Sequence, residues 1–240
     1  MEMKNASNLF KLKQTEKITT DIKSIDKFLR GGIALGKITE LVGTPGTGKT
    51  QMCLRLCLNV QLPQKIGGVE GKALFLDTRK DFDPARLQEL ATDLEKRLQN
   101  QLTDFKASDM LKNVFYLDCP SAAQLIASIL NLRKLLSAQP TIKLIVVDSL
   151  AFPIRMLESV AERTALLMEI HDAMQRILRL YSVTFVITNE LGYHRRKRRW
   201  QLQPILGQKH MHLINERIWC TENEYFMGKT LNTRMFITKK

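Results

Sequence analysis

Lys37-Ile38-Thr39-Glu40-Leu41-Val42 runs without a break into Gly43-Thr44-Pro45-Gly46-Thr47-Gly48-Lys49-Thr50. The first six residues read as a β-strand, and the next eight satisfy every fixed position of G-x-x-x-x-G-K-[ST]. An apolar helix follows through about residue 60. At ordinary glycine and lysine frequencies a chance match is roughly a one per cent event in a chain of this length. A strand before and a helix after are the context the motif requires. The glycines let backbone N–H groups wrap a phosphate chain, and the helix N-terminus adds positive potential. Lys49 is placed to reach the β- and γ-phosphates of a nucleoside triphosphate, and Thr50 to offer its hydroxyl to Mg²⁺.

Such a loop needs a carboxylate near the metal, at the end of a neighbouring strand. Lys143-Leu144-Ile145-Val146-Val147-Asp148-Ser149 supplies one, with Asp148 emerging where a parallel sheet meets its ligand crevice. Further strands are predicted over residues 73–77, 114–117 and 184–188, with two or three more after residue 213. A short helix over 24–29 ends at Gly31-Gly32. A second starts at Asp83-Pro84, an N-cap followed by proline at the first helical position. It carries the apolar stripe Leu87, Leu90, Ala91, Leu94, Leu98 and Leu102. A third opens on the capping box Ser121-Ala122-Ala123-Gln124 and runs to about residue 136; a long one covers 160–180. Strands alternating with helices predict an α/β fold: a mainly parallel sheet, helices on both faces and an antiparallel C-terminal edge. The polar, Lys-rich residues 1–17 are expected to form a flexible N-terminal segment, and 18–240 a single core.

Composition narrows the class. Hydrophobic residues make up 44% of the 240 and charged residues 25%, the proportions of a packed globular protein. No apolar run approaches the ~18 residues of a membrane span, and Met1-Glu2-Met3-Lys4-Asn5 leads into no secretory h-region. Lys plus Arg is 37 against 24 acidic residues, a net charge of +13. That surplus favours an anionic partner, nucleic acid or a membrane surface. Part of it is local, in His194-Arg195-Arg196-Lys197-Arg198-Arg199. Tyr193 and Trp200 flank this run and are of a type that stacks on unpaired bases; a nuclear-import signal uses the same residues. Cys53, Cys57, Cys119 and Cys220 form no C-x-x-C pair and are expected to be structural thiols in a reducing compartment. His210 and His212 share a face if they lie on a strand, but with no third ligand an ordinary structural role is expected.

The two nucleotide motifs and the residues around them resemble the eukaryotic RecA-like recombinases, and within them the paralogues, the Rad-fifty-one C branch in particular. The resemblance is carried by Ile18-Thr19-Thr20, Leu29-Arg30-Gly31-Gly32, the phosphate loop running into Gln51, and Ile66-Gly67-Gly68-Val69. Asp148-Ser149-Leu150-Ala151-Phe152-Pro153-Ile154-Arg155 and Ile187-Thr188-Asn189 extend it. It covers roughly residues 18–220, and the small helical domain that often precedes this core in the family is expected to have no counterpart in this sequence. It implies a RecA-type core that binds ATP with Mg²⁺ between neighbouring subunits, within a hetero-oligomer of recombinase paralogues. It also implies a nuclear protein that works on single-stranded or branched DNA in double-strand-break repair and meiotic recombination. Gly43, Thr44, Pro45, Gly46, Thr47, Gly48, Lys49, Thr50, Gln51 and Arg86 are then the nucleotide-binding residues, with Thr50 and Asp148 on Mg²⁺. Arg86 matches a family arginine near the adenine, though a solvated helix arginine fits the same position. Two loops, after the Asp148 and Asn189 strands, face DNA in the family. The second falls on residues 193–203 and makes Arg195, Arg196, Lys197, Arg198 and Arg199 the DNA-binding candidates.

Three departures qualify the resemblance. The family reads Asp-Thr-Glu after its second strand, the Glu orienting the attacking water; this chain reads Asp77-Thr78-Arg79. The family Gln that senses the γ-phosphate is Glu190. The Pro-containing segment that caps a neighbour's nucleotide is not evident over 220–235. Binding is therefore expected to survive better than hydrolysis. No catalytic residue is assigned; Asp81, two residues on, and Glu190, at an adjacent strand end, are the candidates to substitute. An ATP-binding paralogue assisting the main strand-exchange recombinase is the leading reading. An autonomous DNA-dependent ATPase or strand-exchange enzyme is the second. A P-loop kinase or transport ATPase of small substrates is the third, disfavoured by the missing lid motifs and the +13 charge.

Overall fold

The computed structural model of the chain describes residues 16–102, 104–196, 199–221, 224–227 and 235–238. A short pair, β1 (Lys17–Ile18) and β2 (Ile33–Ala34), flanks α1 (Lys23–Phe28). Next come β3 (Ile38–Gly43), α2 (Lys49–Asn59), β4 (Lys72–Asp77), α3 (Pro84–Leu98), α4 (Ala107–Lys112), β5 (Val114–Asp118) and α5 (Ala122–Ala138). β6 (Ile142–Asp148) leads to α6 (Ala151–Arg155), α7 (Val160–Leu180), β7 (Thr184–Arg196), β8 (Arg199–Pro204), α8 (Gly207–Met211) and β9 (Glu216–Cys220). β10 (Glu224–Met227) and β11 (Met235–Thr238) complete the described elements.

Among the described residues the main sheet runs β11-β10-β9-β3-β7-β6-β4-β5, with β8 folded back on β7. Every neighbouring pair from β9 to β5 is parallel, and β9, β10 and β11 pair antiparallel. This is the predicted α/β architecture, antiparallel edge included. The uninterrupted apolar strands follow from it, because a sheet covered on both faces buries both sets of alternating side chains. On one face Leu41, Phe75, Leu144 and Val146 pack with Cys53, Leu56 and Cys57 of α2 and Leu87, Leu90 and Leu94 of α3. On the other, Leu74, Ile145, Val147 and Phe185 meet Leu125, Ile129 and Leu132 of α5 and Ile170, Met174 and Ile177 of α7. All four cysteines are buried thiols. The register aligns Gly43 with Glu190 and Asp77 with Asp148, so the C-terminal ends of β3, β7, β6 and β4 form one edge.

Local signals set the helix starts. Asp83 Oδ1 accepts from the N–H groups of Ala85 (2.9 Å) and Arg86 (3.3 Å), with Pro84 opening the helix, and Ser121 Oγ accepts from Gln124 N–H at 3.2 Å. Three expectations need correction. First, α3 stops at Leu98 and does not carry the stripe to Leu102; the N–H groups of Gln101 and Leu102 both donate to Leu98 O at 2.8 Å, which closes the helix in a turn. Second, Lys17 is ordered: it lies in β1, and its ammonium donates to Leu29 O (2.7 Å) and Arg30 O (2.8 Å). Residues 1–15 of the expected flexible segment lie outside the described residues. Third, residues 193–196 and 199–203 are not loop. β7 continues to Arg196 and pairs antiparallel with β8, Tyr193 opposite Leu202 and Arg195 opposite Trp200. Pairing satisfies the backbone groups that a loop would leave to water. The six-residue α4 and the five-residue α6 and α8 are too short to show a helical period in sequence.

Candidate nucleotide site and basic hairpin

Gly43 ends β3 against the backbone of β9: a Cβ there would stand 2.3 Å from Cys220 O and 2.6 Å from Thr47 Oγ1. Gly48, the α2 N-cap, has φ +87°, a left-handed conformation that glycine adopts without penalty. Thr47 Oγ1 donates to Thr44 O at 2.8 Å, and Lys49 Nζ donates to Gly43 O (3.0 Å) and Thr44 O (2.8 Å). The ammonium is thus held over the loop by the loop's own carbonyls. Burial holds Lys49 below its ordinary pKa, against the opposing charges of Asp148 and Glu190.

Asp148 is buried with both oxygens occupied. Thr50 Oγ1 donates to Oδ2 at 2.6 Å and Thr188 Oγ1 to Oδ1 at 2.5 Å. Burial raises its pKa; the two hydroxyls oppose the rise, and Asp77 and Asp81 add to it. Asp77 organises the next turn: its carboxylate accepts from the N–H groups of Arg79 (2.9 Å), Lys80 (2.9 Å) and Phe82 (3.0 Å). That turn aims Arg79 at Glu190, to which its Nη1 donates, while Arg79 Nε pairs with Asp81 at 2.9 Å. Arg155 Nη1 takes the other Glu190 oxygen at 2.8 Å. Both guanidinium groups lie 5.4 Å from the centroid of the Phe152 ring, within cation–π range.

These groups converge on a cleft of about 240 Å³ lined by Pro45, Gly48, Lys49, Thr50, Asp148 and Glu190, with Gln51, Arg79 and Asp81 also on its wall. Of the predicted nucleotide residues, Pro45, Gly46, Gly48, Lys49, Thr50 and Gln51 line it. Gly43, Thr44 and Thr47 hold the loop that shapes it. Arg86 stands behind, its Nε donating to Gln51 Oε1 at 2.9 Å and its Nη1 pairing with Glu89 at 2.7 Å. The cleft suits a nucleoside triphosphate with Mg²⁺. A hydroxyl and a carboxylate already in contact are hard oxygen donors of the kind Mg²⁺ takes, and the Gly43 approach leaves backbone where a Cβ would intrude. Lys49, Thr50 and Asp148 would hold that group, and the metal's chemistry there is charge neutralisation on the phosphates.

Sequence reasoning missed Thr188 and the Arg155–Glu190 pair, because nothing local links a residue on one strand to a carboxylate on the next. It also missed a dry polar network beneath the cleft. Glu40 Oε1 accepts from Asn189 Nδ2 (2.7 Å) and meets His210 Nε2 (2.8 Å), its other oxygen accepts from Arg217 Nε, and His210 Nδ1 meets His171 Nε2 at 2.8 Å. Burial pushes Glu40 up, but its contacts with His210 and Arg217 outweigh it and leave the carboxyl below its usual range. His171 is held down to about 3, chiefly by burial. His210 lies in α8, not on a strand with His212, and serves this network as the structural role expected of it.

The basic run falls on the β7–β8 hairpin. Arg195 and Arg196 end β7 and Arg199 opens β8, while Lys197 and Arg198 lie outside the described residues. Tyr193, 73% exposed, sits on β7 nearby. No helix among the described residues is long and apolar enough to cross a membrane.

Residues 11–197 match the profile of the Rad51 family. Over 214 residues the chain is 31% identical to the DNA repair protein RAD51 homolog 3 of Cricetulus griseus, an alignment covering 84% of this chain and 58% of that protein. Over 213 residues it is 31% identical to the protein of the same name from Dictyostelium discoideum, covering 84% and 56%. The chain therefore spans a little over half the length of these curated relatives.

Proposed function

The chain belongs to the Rad51 family, and from that premise we propose that it is an ATP- and DNA-binding recombinase paralogue of the nucleus. It assists the main strand-exchange recombinase in double-strand-break repair and meiotic recombination, within a hetero-oligomer of paralogue subunits. The quoted residues favour the Rad-fifty-one C branch, and the names of the two relatives support a role in DNA repair. One observation carries the reading: Lys49 poised over its loop beside the Thr50–Asp148 pair, at the sheet edge where the family's phosphate loop belongs.

Hydrolysis by this subunit alone is a weaker reading. Of the two carboxylates able to orient water, Asp81 is paired with Arg79, and Glu190 with both Arg79 and Arg155. A carboxylate whose oxygens already accept from guanidinium groups has fewer lone pairs left to orient a water. The test is Lys49→Ala, read by nucleotide affinity with Mg²⁺ and by assembly with Rad51-family partners. We expect both to weaken, the affinity by roughly tenfold or more for a lost charge-assisted contact. Unchanged affinity and unchanged assembly would sink the reading.

A further inference from the structure

The cation that stands where a water-orienting carboxylate is expected has partners already. Arg79 Nη1 donates to one oxygen of Glu190, Arg79 Nε pairs with Asp81 at 2.9 Å, and Arg155 Nη1 donates to the other Glu190 oxygen at 2.8 Å. Arg79, Asp81 and Glu190 share the cleft wall with Lys49 and Thr50. Arg155 instead borders a separate groove beside Ile154 and Leu206. The side chain of Glu190 is 7% exposed and that of Arg79 is 33% exposed. The cleft therefore contains one guanidinium free to change partner and one carboxylate that cannot leave.

Charge decides what that guanidinium does when an anion arrives. A bare Glu190 beside the phosphate loop would repel a terminal phosphate. Arg155, itself 40% exposed, pairs with the far oxygen at 2.8 Å, so Glu190 keeps one guanidinium partner after Arg79 lets go. Arg79 can then offer its planar fork of donors to a phosphate, the geometry for which guanidinium is suited. A guanidinium accepts no proton, so the contact adds binding without activating water.

We propose that Arg79 makes this site prefer a nucleoside triphosphate over a diphosphate, exchanging Glu190 for the terminal phosphate while Arg155 retains Glu190. The proposal rests on the nucleotide-binding reading above, and the two can fail separately. Titration calorimetry in Mg²⁺ would compare a non-hydrolysable ATP analogue with ADP on the wild type, Arg79→Ala, Arg79→Lys and Glu190→Gln, with thermal melts confirming that each variant folds. The wild type should bind the analogue roughly tenfold or more tighter than ADP, the scale of one charge-assisted hydrogen bond. In Arg79→Ala the ratio of analogue to ADP affinity should fall several-fold, to what Lys49 and Mg²⁺ alone contribute, and Arg79→Lys should recover part of it. Glu190→Gln removes one of Arg79's two competing carboxylates, leaving Asp81, and should raise the ratio of analogue to ADP affinity. A merely structural role for Arg79 would move both nucleotides together. A preference undiminished in Arg79→Ala, or lowered in Glu190→Gln, overturns the proposal. Equal binding of both nucleotides by the wild type overturns it alone, whereas no binding of either overturns the nucleotide reading with it.

Discussion

Both oxygens of Asp148 are committed to threonine hydroxyls at a position 4% exposed, and this fixes how the residue titrates. Burial raises its pKa more than Thr50 and Thr188 lower it. A folded-state pKa above the unfolded one means that the native chain holds the proton longer. Stability from Asp148 is therefore greatest at and below the ordinary aspartate range and falls as pH rises through the raised value. The nucleotide-free wild type should lose stability relative to Asp148→Asn from about pH 4 upward, the ordinary aspartate pKa, measured by urea midpoints at a series of pH values. Parallel curves for the two proteins would contradict it. The same substitution removes the carboxylate beside Thr50, so Mg²⁺-dependent nucleotide binding should weaken even where the fold is stabilised.

β7 is the element on which most of the chemistry meets. It carries Thr188 to Asp148, Asn189 to Glu40 and Glu190 to the two arginines, then leaves the sheet as one arm of the basic hairpin. Beneath it Glu40 ties β3 to α8 through His210 and to β9 through Arg217. Glu40→Gln takes the Glu40 charge away from the buried Arg217 guanidinium. Breaking a buried pair in this way costs about 3–5 kcal/mol, so a large drop in the urea midpoint is expected; a loss below ~1 kcal/mol, the scale of an exposed pair, would show that the network contributes little. At the hairpin, DNA contact predicts a different readout. Replacing Arg195, Arg196, Lys197, Arg198 and Arg199 with glutamine should weaken single-strand binding and flatten its salt dependence, by about 0.7 in the log–log slope for each lost phosphate contact. An unchanged slope assigns the run to import or to a solvated surface.

At the scale of the whole molecule, the family's use of subunit interfaces and the engagement of Glu190 point the same way. The isolated subunit should show little ATP turnover with or without DNA, and should form no long continuous filament on DNA. Turnover should appear on adding a Rad51-family partner able to supply a carboxylate. Steady-state ATPase assays and electron microscopy of the lone protein and of mixtures check this. Robust turnover by the lone wild type, abolished in Lys49→Ala, would show that the engaged carboxylates do not limit it.

What could be read from the chain alone was whatever is contiguous in it. The strand, phosphate loop and helix over 38–59 are one unbroken stretch, Asp83 and Ser121 cap helices that begin at the next residue, and the α7 period is complete within 21 residues. Apolar runs buried on both faces were sufficient to infer a parallel sheet. The contacts that define the cleft are not contiguous: Thr50 meets Asp148 across 98 positions, Arg79 meets Glu190 across 111, and Glu40 meets Arg217 across 177. Those pairings depend on the strand order, which places β7 between β3 and β6 and no local signal encodes. The hairpin depended on tertiary structure for the same reason, since residues 193–196 and 199–203 become strands only when each arm finds the other's backbone groups. Sequence alone thus determined a phosphate-loop motif on an α/β sheet. Only the folded chain decided that its extra arginine would face a carboxylate, because burying both faces of the sheet is what brings β4 and β7 to a common edge.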